Sequence, residues 1–124
     1  MRVKYTLKDD REGESIKMKR SYNKLVRDRI PQLISESGRK CTSRILSEDE
    51  YFDALLDKIV EEIEEYRASG NEEELADVYE VLDCLVQLKE YEPMHIDYLQ
   101  LIRREARGSF KERVLLIDVD DTVG

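Results

Sequence analysis

Glu62, Glu65, Glu74 and Asp77 form two carboxylate pairs, each spaced i, i+3, within VEEIEEYRASGNEEELADVYEVLD, residues 60–83. Ten of these 24 residues are Asp or Glu and only one is Lys or Arg. On a helix, side chains three positions apart project side by side, and like charges so placed cost helix stability. Carboxylates set against an apolar seam must take up protons or find cations. Oxygen donors without His or Cys suit Mg²⁺ or Mn²⁺ rather than Zn²⁺. The chemistry on offer is that of a divalent-cation site. The bland alternative is a set of solvated acids paired with Lys and Arg.

The elements that would position these acids can be read from caps and periodicity. Ser47 followed by Glu50 is a capping-box pattern that opens a helix over about 48–69. Its apolar positions are Phe52, Leu55, Leu56, Ile59, Ile63 and Tyr66, at helical spacing. Ser69-Gly70-Asn71 breaks it. Asn71, with Glu74 at the third position, starts a second helix running to about Leu88, with Leu75, Val78, Leu82 and Leu85 as its stripe. A turn of about 100° per residue sorts the acids. Glu61 and Glu64 point to the far side of the first helix, and Glu62 and Glu65 flank its stripe. On the second helix Glu74 lies inside the apolar arc, Asp77 lies on its edge, and Glu80 and Asp83 point away. In an antiparallel hairpin, Glu65 and Glu74 lie at equal depth, as do Glu62 and Asp77. Both pairs are centred on the same point of the Ser69-Gly70-Asn71 break. The expectation is a four-cornered acidic patch between two helices.

Around this hairpin the chain reads as follows. RVKYTLK (2–8) and SIKMK (15–19) alternate in the strand manner about a turn-rich segment, a possible β-hairpin. Pro31 suits the first turn of a short helix near 30–37 that ends before Gly38. Pro93 precedes a fourth helix, about 94–107, stopped by Gly108, and FKERVLLID reads as a terminal strand. The 124 residues suggest one domain, mainly α, with a small β appendage from its two ends. The net charge of −8 argues against binding a nucleic-acid polymer. The charge is uneven. Residues 1–44 carry 13 Lys/Arg against 6 Asp/Glu, and residues 45–124 carry 8 against 23. An acidic part that holds cations beside a basic part that holds phosphates is what a metal–nucleotide site needs. No apolar run approaches the ~18 residues of a membrane span, and the first residues show no signal core. The expected setting is therefore cytoplasmic, with Cys41 and Cys84 reduced.

KIVEEIEE followed by ELAD resembles the EExxE…ExxD signature of the all-α nucleoside triphosphate pyrophosphatase superfamily, the MazG-like proteins. SYNKLVRDRIP and RREARGSFKERVLLID resemble the small branch often labelled phosphoribosyl-ATP pyrophosphohydrolase-like, whose members read YNKLVRDKIP and KxxxRGGF before a final strand. The resemblance covers about 21–119, leaving residues 1–20 as an extension and 21–124 as the pyrophosphohydrolase domain. It implies a helical-bundle, Mg²⁺-dependent hydrolase that cuts a nucleotide between its α and β phosphates, releasing a monophosphate and pyrophosphate in nucleotide-pool house-cleaning. It also implies that Glu62, Glu65, Glu74 and Asp77 bind metal, the four acids that the geometry selects. Glu61 and Glu62 are the catalytic candidates, Glu61 as the group that orients a water or takes its proton. Lys24, Arg27, Arg29, Arg103 and Arg107 are candidates to grip phosphates, or simply to bridge to the acidic half. Arg103 and Ser109 depart from the branch pattern, which has Lys and Gly there, and the eight residues between Glu65 and Glu74 are few for the superfamily.

Asp118-Val119-Asp120-Asp121-Thr122 mimics the DxDxT nucleophile motif of haloacid-dehalogenase-type phosphatases, but only two residues follow it where a large α/β domain is needed. His95, near a helix start, suits a surface role. Tyr66, Tyr79 and Tyr98 suit core or interface. An acidic seam between long helices calls for a second subunit, giving a homodimer or a dimer of dimers. Two other readings stand beside the enzyme: a phosphoribosyl-ATP pyrophosphohydrolase of histidine biosynthesis, and a non-catalytic helical dimerisation module.

Overall fold

The computed structural model describes residues 20–122. The expected N-terminal hairpin lies outside them. Among the described residues the chain is mainly helical, with four helices: α1 (Ile30–Glu36), α2 (Glu48–Ser69), α3 (Glu72–Leu88) and α4 (Pro93–Arg107). It divides into two units, Met1–Leu88 and Lys89–Gly124. Among the described residues, no helix is long and apolar enough to cross a membrane.

In the first unit, α1 begins with Pro31 in its first turn, where a missing N–H costs nothing. The α2 start is the full capping box. Ser47 Oγ accepts from the Glu50 N–H at 3.2 Å, and Glu50 Oε1 accepts from the Ser47 N–H at 3.0 Å. Arg44 fixes the same carboxylate with two bonds of 3.1 and 2.8 Å. At the other end Gly70, at φ 69°, takes the left-handed turn that closes a helix, and its N–H donates to the Tyr66 carbonyl at 2.8 Å. The Ser69 hydroxyl accepts from the Asn71 N–H, and the Asn71 carbonyl accepts from the Glu74 N–H. α3 then packs back along α2.

The seam of this hairpin is narrower than the apolar stripes read from the sequence. Among the described residues the buried hydrophobic side chains are Leu55, Val78 and Val81 in the hairpin and Ile30 on α1. Glu62 stands two turns beyond Leu55, and Glu74 one turn before Val78, so both glutamates occupy core positions. Val81, not Leu75 or Leu82, completes the inner row of α3. Six of the other apolar residues form a second face. Leu56, Val60 and Ile63 on α2, and Leu75, Tyr79 and Leu82 on α3, recur at alternating spacings of four and three and are 37–70% exposed. Counted from the shared break, Leu56 lies opposite Leu82, Val60 opposite Tyr79 and Ile63 opposite Leu75.

In the second unit, α4 starts at Pro93 and ends where Gly108, at φ 82°, gives its N–H to the Arg104 carbonyl at 2.8 Å. None of its residues is buried. The expected terminal strand is absent from the described residues: 113–122 hold no strand, and Val114–Ile117 are 74–84% exposed. Arg113 sits in the left-handed region at φ 60°, and its N–H turns back to the Phe110 carbonyl, which breaks the extended run. A strand also needs a neighbouring ladder, and none of the described residues supplies one.

Candidate metal centre

The seam of the α2–α3 hairpin collects the acids. Glu62, Glu74 and Asp77 bring one carboxylate oxygen each to within 4.8 Å of one another, and Glu61, Glu62 and Glu65 do the same. Glu62 belongs to both groups and joins them. Glu62 and Glu74 are each 1% exposed. Glu61, Glu65 and Asp77 are half-buried. The helix geometry explains this. Glu62 and Glu74 point along the same rows as Leu55 and Val78, while Asp77 sits on the edge of its row.

Glu61 corrects the rotational reading, which turned it to the far side. Its side chain is 21% exposed, against 62% for Glu64, which does face water. The cause is Lys58. Lys58 Nζ lies 3.1 Å from Glu61 Oε1 and 3.5 Å from Glu62 Oε1, and its own side chain is 11% exposed. Lys24 Nζ approaches Glu61 Oε1 at 3.6 Å from the other side. These two cations draw Glu61 against the cluster. Lys58 escaped the sequence reading, although Lys58 and Glu62 stand at the i, i+4 spacing that pairs charges on a helix.

Of the basic candidates, Arg27 makes the shortest contact with the acids. Its Nη2 donates to Asp77 Oδ1 at 2.6 Å. That bond, with the charges of Asp77, Glu80 and Glu62, holds the Arg27 pKa above its usual value. Arg29 is exposed and caps α1 without a side-chain bond. Arg103 and Arg107 are exposed on α4, in the second unit. A small recess of about 90 Å³, lined by Asn23, Lys24, Lys58 and Glu61 among others, opens beside the Lys58 end of the cluster. The residues present fit a hard divalent cation: the donors are all carboxylate oxygens, two of them almost wholly withdrawn from water. They also contain their own partial neutralisation, in Lys58 and Arg27.

Elsewhere in the first unit, burial pushes the Tyr51 hydroxyl up to about 12, with the Cys84 thiol beside it adding to the shift. Cys41 and Cys84 are free thiols. In the second unit, Asp120 of the DxDxT-like run folds back on its own chain, accepting from the Thr122 N–H at 2.8 Å. His95 stacks on Tyr98 with ring centroids 6.2 Å apart.

Comparison with known proteins adds one relative. An uncharacterized protein of Mycolicibacterium smegmatis (strain ATCC 700084 / mc(2)155) is 58% identical over 45 residues, which are 36% of this chain and 46% of that protein. The match thus spans less than half of the relative's length. No protein-family model matches the chain, and no solved structure matches it.

Proposed function

We propose that this chain is a Mg²⁺-dependent nucleotide pyrophosphohydrolase of the MazG-like kind, cleaving between the α and β phosphates to release a nucleoside monophosphate and pyrophosphate. The observation that carries the reading is the pair of buried glutamates, Glu62 and Glu74, which meet Asp77 between α2 and α3. Withdrawing carboxylates from water is costly unless a cation repays it. The resemblance of KIVEEIEE and ELAD to the EExxE…ExxD signature supports the same assignment.

Glu62, Glu65, Glu74 and Asp77 would hold the metal, Mg²⁺ or Mn²⁺. When bound, the ion supplies polarisation of phosphate oxygens and neutralisation of their charge. The chain's own residues do the rest. Glu61, held at the rim by Lys58 and Lys24, would orient a water or accept its proton. Of the phosphate-gripping candidates, Lys24 and Arg27 contact the acids, and on this reading they serve the phosphates. Catalysis on this reading is mostly positioning and charge neutralisation. The outer apolar face of the hairpin supports a homodimer. Matched stripes at four-three spacing on two antiparallel helices are what a second hairpin needs to complete a four-helix bundle.

Pyrophosphate release would be measured from a panel of NTPs, dNTPs, modified nucleotides and phosphoribosyl-ATP, with and without Mg²⁺, beside Glu62→Gln. The expected result is Mg²⁺-dependent release that Glu62→Gln abolishes. Preference for phosphoribosyl-ATP would shift the reading to histidine biosynthesis. No release from any nucleotide, together with no Mg²⁺ effect on thermal stability, would favour the second reading, a non-catalytic dimerisation module whose acids are neutralised by Lys58 and Arg27.

A further inference from the structure

Of the cations that reach the acidic cluster, Lys58 and Arg27 are held very differently. Lys58 is on the same helix as Glu61 and Glu62, one turn earlier, and its side chain is 11% exposed. Its two carboxylate partners lie on its own helix at the i, i+3 and i, i+4 positions, so local geometry keeps them together. Arg27 comes from 50 positions before Asp77. It lies on the stretch ahead of α1 that has no regular structure, and its side chain is 57% exposed. Its contact with Asp77 is a single 2.6 Å bond from Nη2, so the rest of the guanidinium fork is not committed to that carboxylate. An ion pair whose arginine end stands in water is screened and weaker than a fully buried one, so a doubly charged ion can compete for the same oxygen.

We propose that Arg27 is the exchangeable counter-ion of this site: it holds Asp77 in the cation-free protein, yields that carboxylate to a divalent cation, and then offers its freed guanidinium to a phosphate group of the substrate. The inference rests on the divalent-cation reading of the cluster. Lys58 stays in place throughout and keeps Glu61 and Glu62 together. The planar fork of arginine matches phosphate with two parallel bonds, which an ammonium cannot do. Cation binding and phosphate binding are then linked through one side chain, and the linkage is reciprocal.

Wild type, Arg27→Gln, Arg27→Lys, Asp77→Asn and the Arg27→Gln/Asp77→Asn double variant would be titrated with Mg²⁺ alone, following thermal unfolding. Binding of inorganic pyrophosphate at saturating Mg²⁺ would then be measured by calorimetry. In Arg27→Gln the half-saturating Mg²⁺ concentration falls by roughly two- to five-fold, because a weak competitor has gone. Pyrophosphate affinity in the same variant falls at least about tenfold. Arg27→Lys keeps the wild-type Mg²⁺ midpoint but loses pyrophosphate affinity, and in the Asp77→Asn background Arg27→Gln no longer changes the midpoint. A midpoint in Arg27→Gln that is unchanged or raised, or pyrophosphate binding that is undiminished, overturns the exchange. Failure of the underlying reading has a different signature: wild type itself shows no Mg²⁺-dependent rise in melting temperature.

Discussion

Glu74 is the residue at which stability and the proposed function pull apart. Its carboxylate lies with those of Glu62 and Asp77, all within 4.8 Å, and it is 1% exposed. Like charges this close destabilise one another when no ion sits between them. Glu74→Gln keeps the shape and removes one charge. In the cation-free protein it should raise stability by ~1 kcal/mol, a rise of roughly 4–8 °C for a small domain. It should also abolish the stabilisation by Mg²⁺. Calorimetric melting with and without Mg²⁺ checks both, and a variant that still gains stability from Mg²⁺ would remove Glu74 from the site. Tyr51 gives a second residue-scale expectation. Its pKa in the folded chain is raised from 10 to about 12. Its contribution to stability is therefore full below pH 10 and is lost as the pH rises through 12. A spectrophotometric tyrosine titration should show one group ionising well above the others, and Tyr51→Phe should remove it.

At the scale of the element, the ends of α2 carry the testable chemistry. The Ser47 hydroxyl satisfies the Glu50 N–H, and Ser47→Ala should cost about 1 kcal/mol in a denaturant melt. Glu50 accepts from Arg44 and from the Ser47 N–H, and these bonds lower its pKa from 4.5 to about 2. A depressed carboxylate stabilises the fold above its unfolded pKa and stops doing so as the pH falls through the folded one. The α2 start should thus lose support between about pH 4.5 and pH 2, and Glu50→Gln should flatten that part of the pH–stability curve. Gly70, at φ 69°, lets the chain turn from α2 into α3. A Gly70→Ala change meets no neighbouring atom, yet it should destabilise by roughly 1 kcal/mol, because the left-handed conformation itself is strained for a side chain.

The described residues expose more apolar surface than a small isolated chain normally would. In the first unit the outer hairpin face is 37–70% exposed, and in the second no residue of α4 is buried. The proposed homodimer covers the hairpin face. Light scattering should give a dimer mass for the wild type and a monomer mass for Val60→Glu/Tyr79→Glu. The helical signal should survive in that variant, because both side chains lie outside the seam. A wild type that stays monomeric at high concentration would refute the shared face.

Much of this arrangement was legible in the sequence. The caps at Ser47 and Gly70, the prolines at 31 and 93, and the helical spacing of the apolar residues place the four helices within a residue or two, because these signals act through local backbone chemistry. The convergence of Glu62, Glu74 and Asp77 was legible too, since an antiparallel hairpin about a short break has only one register of depth. What local signals could not decide was which half of each broad apolar stripe meets the partner helix. Only the packing of α2 on α3 puts Val81 inside and leaves Leu75 and Leu82 out. The same limit applies to charges that come from far along the chain. The attraction of Glu61 towards Lys24, and the reach of Arg27 across 50 positions to Asp77, depend on where whole segments settle. The run FKERVLLID has the composition of a strand, but a strand exists only through the bonds of a neighbour, and that pairing is a property of tertiary structure alone.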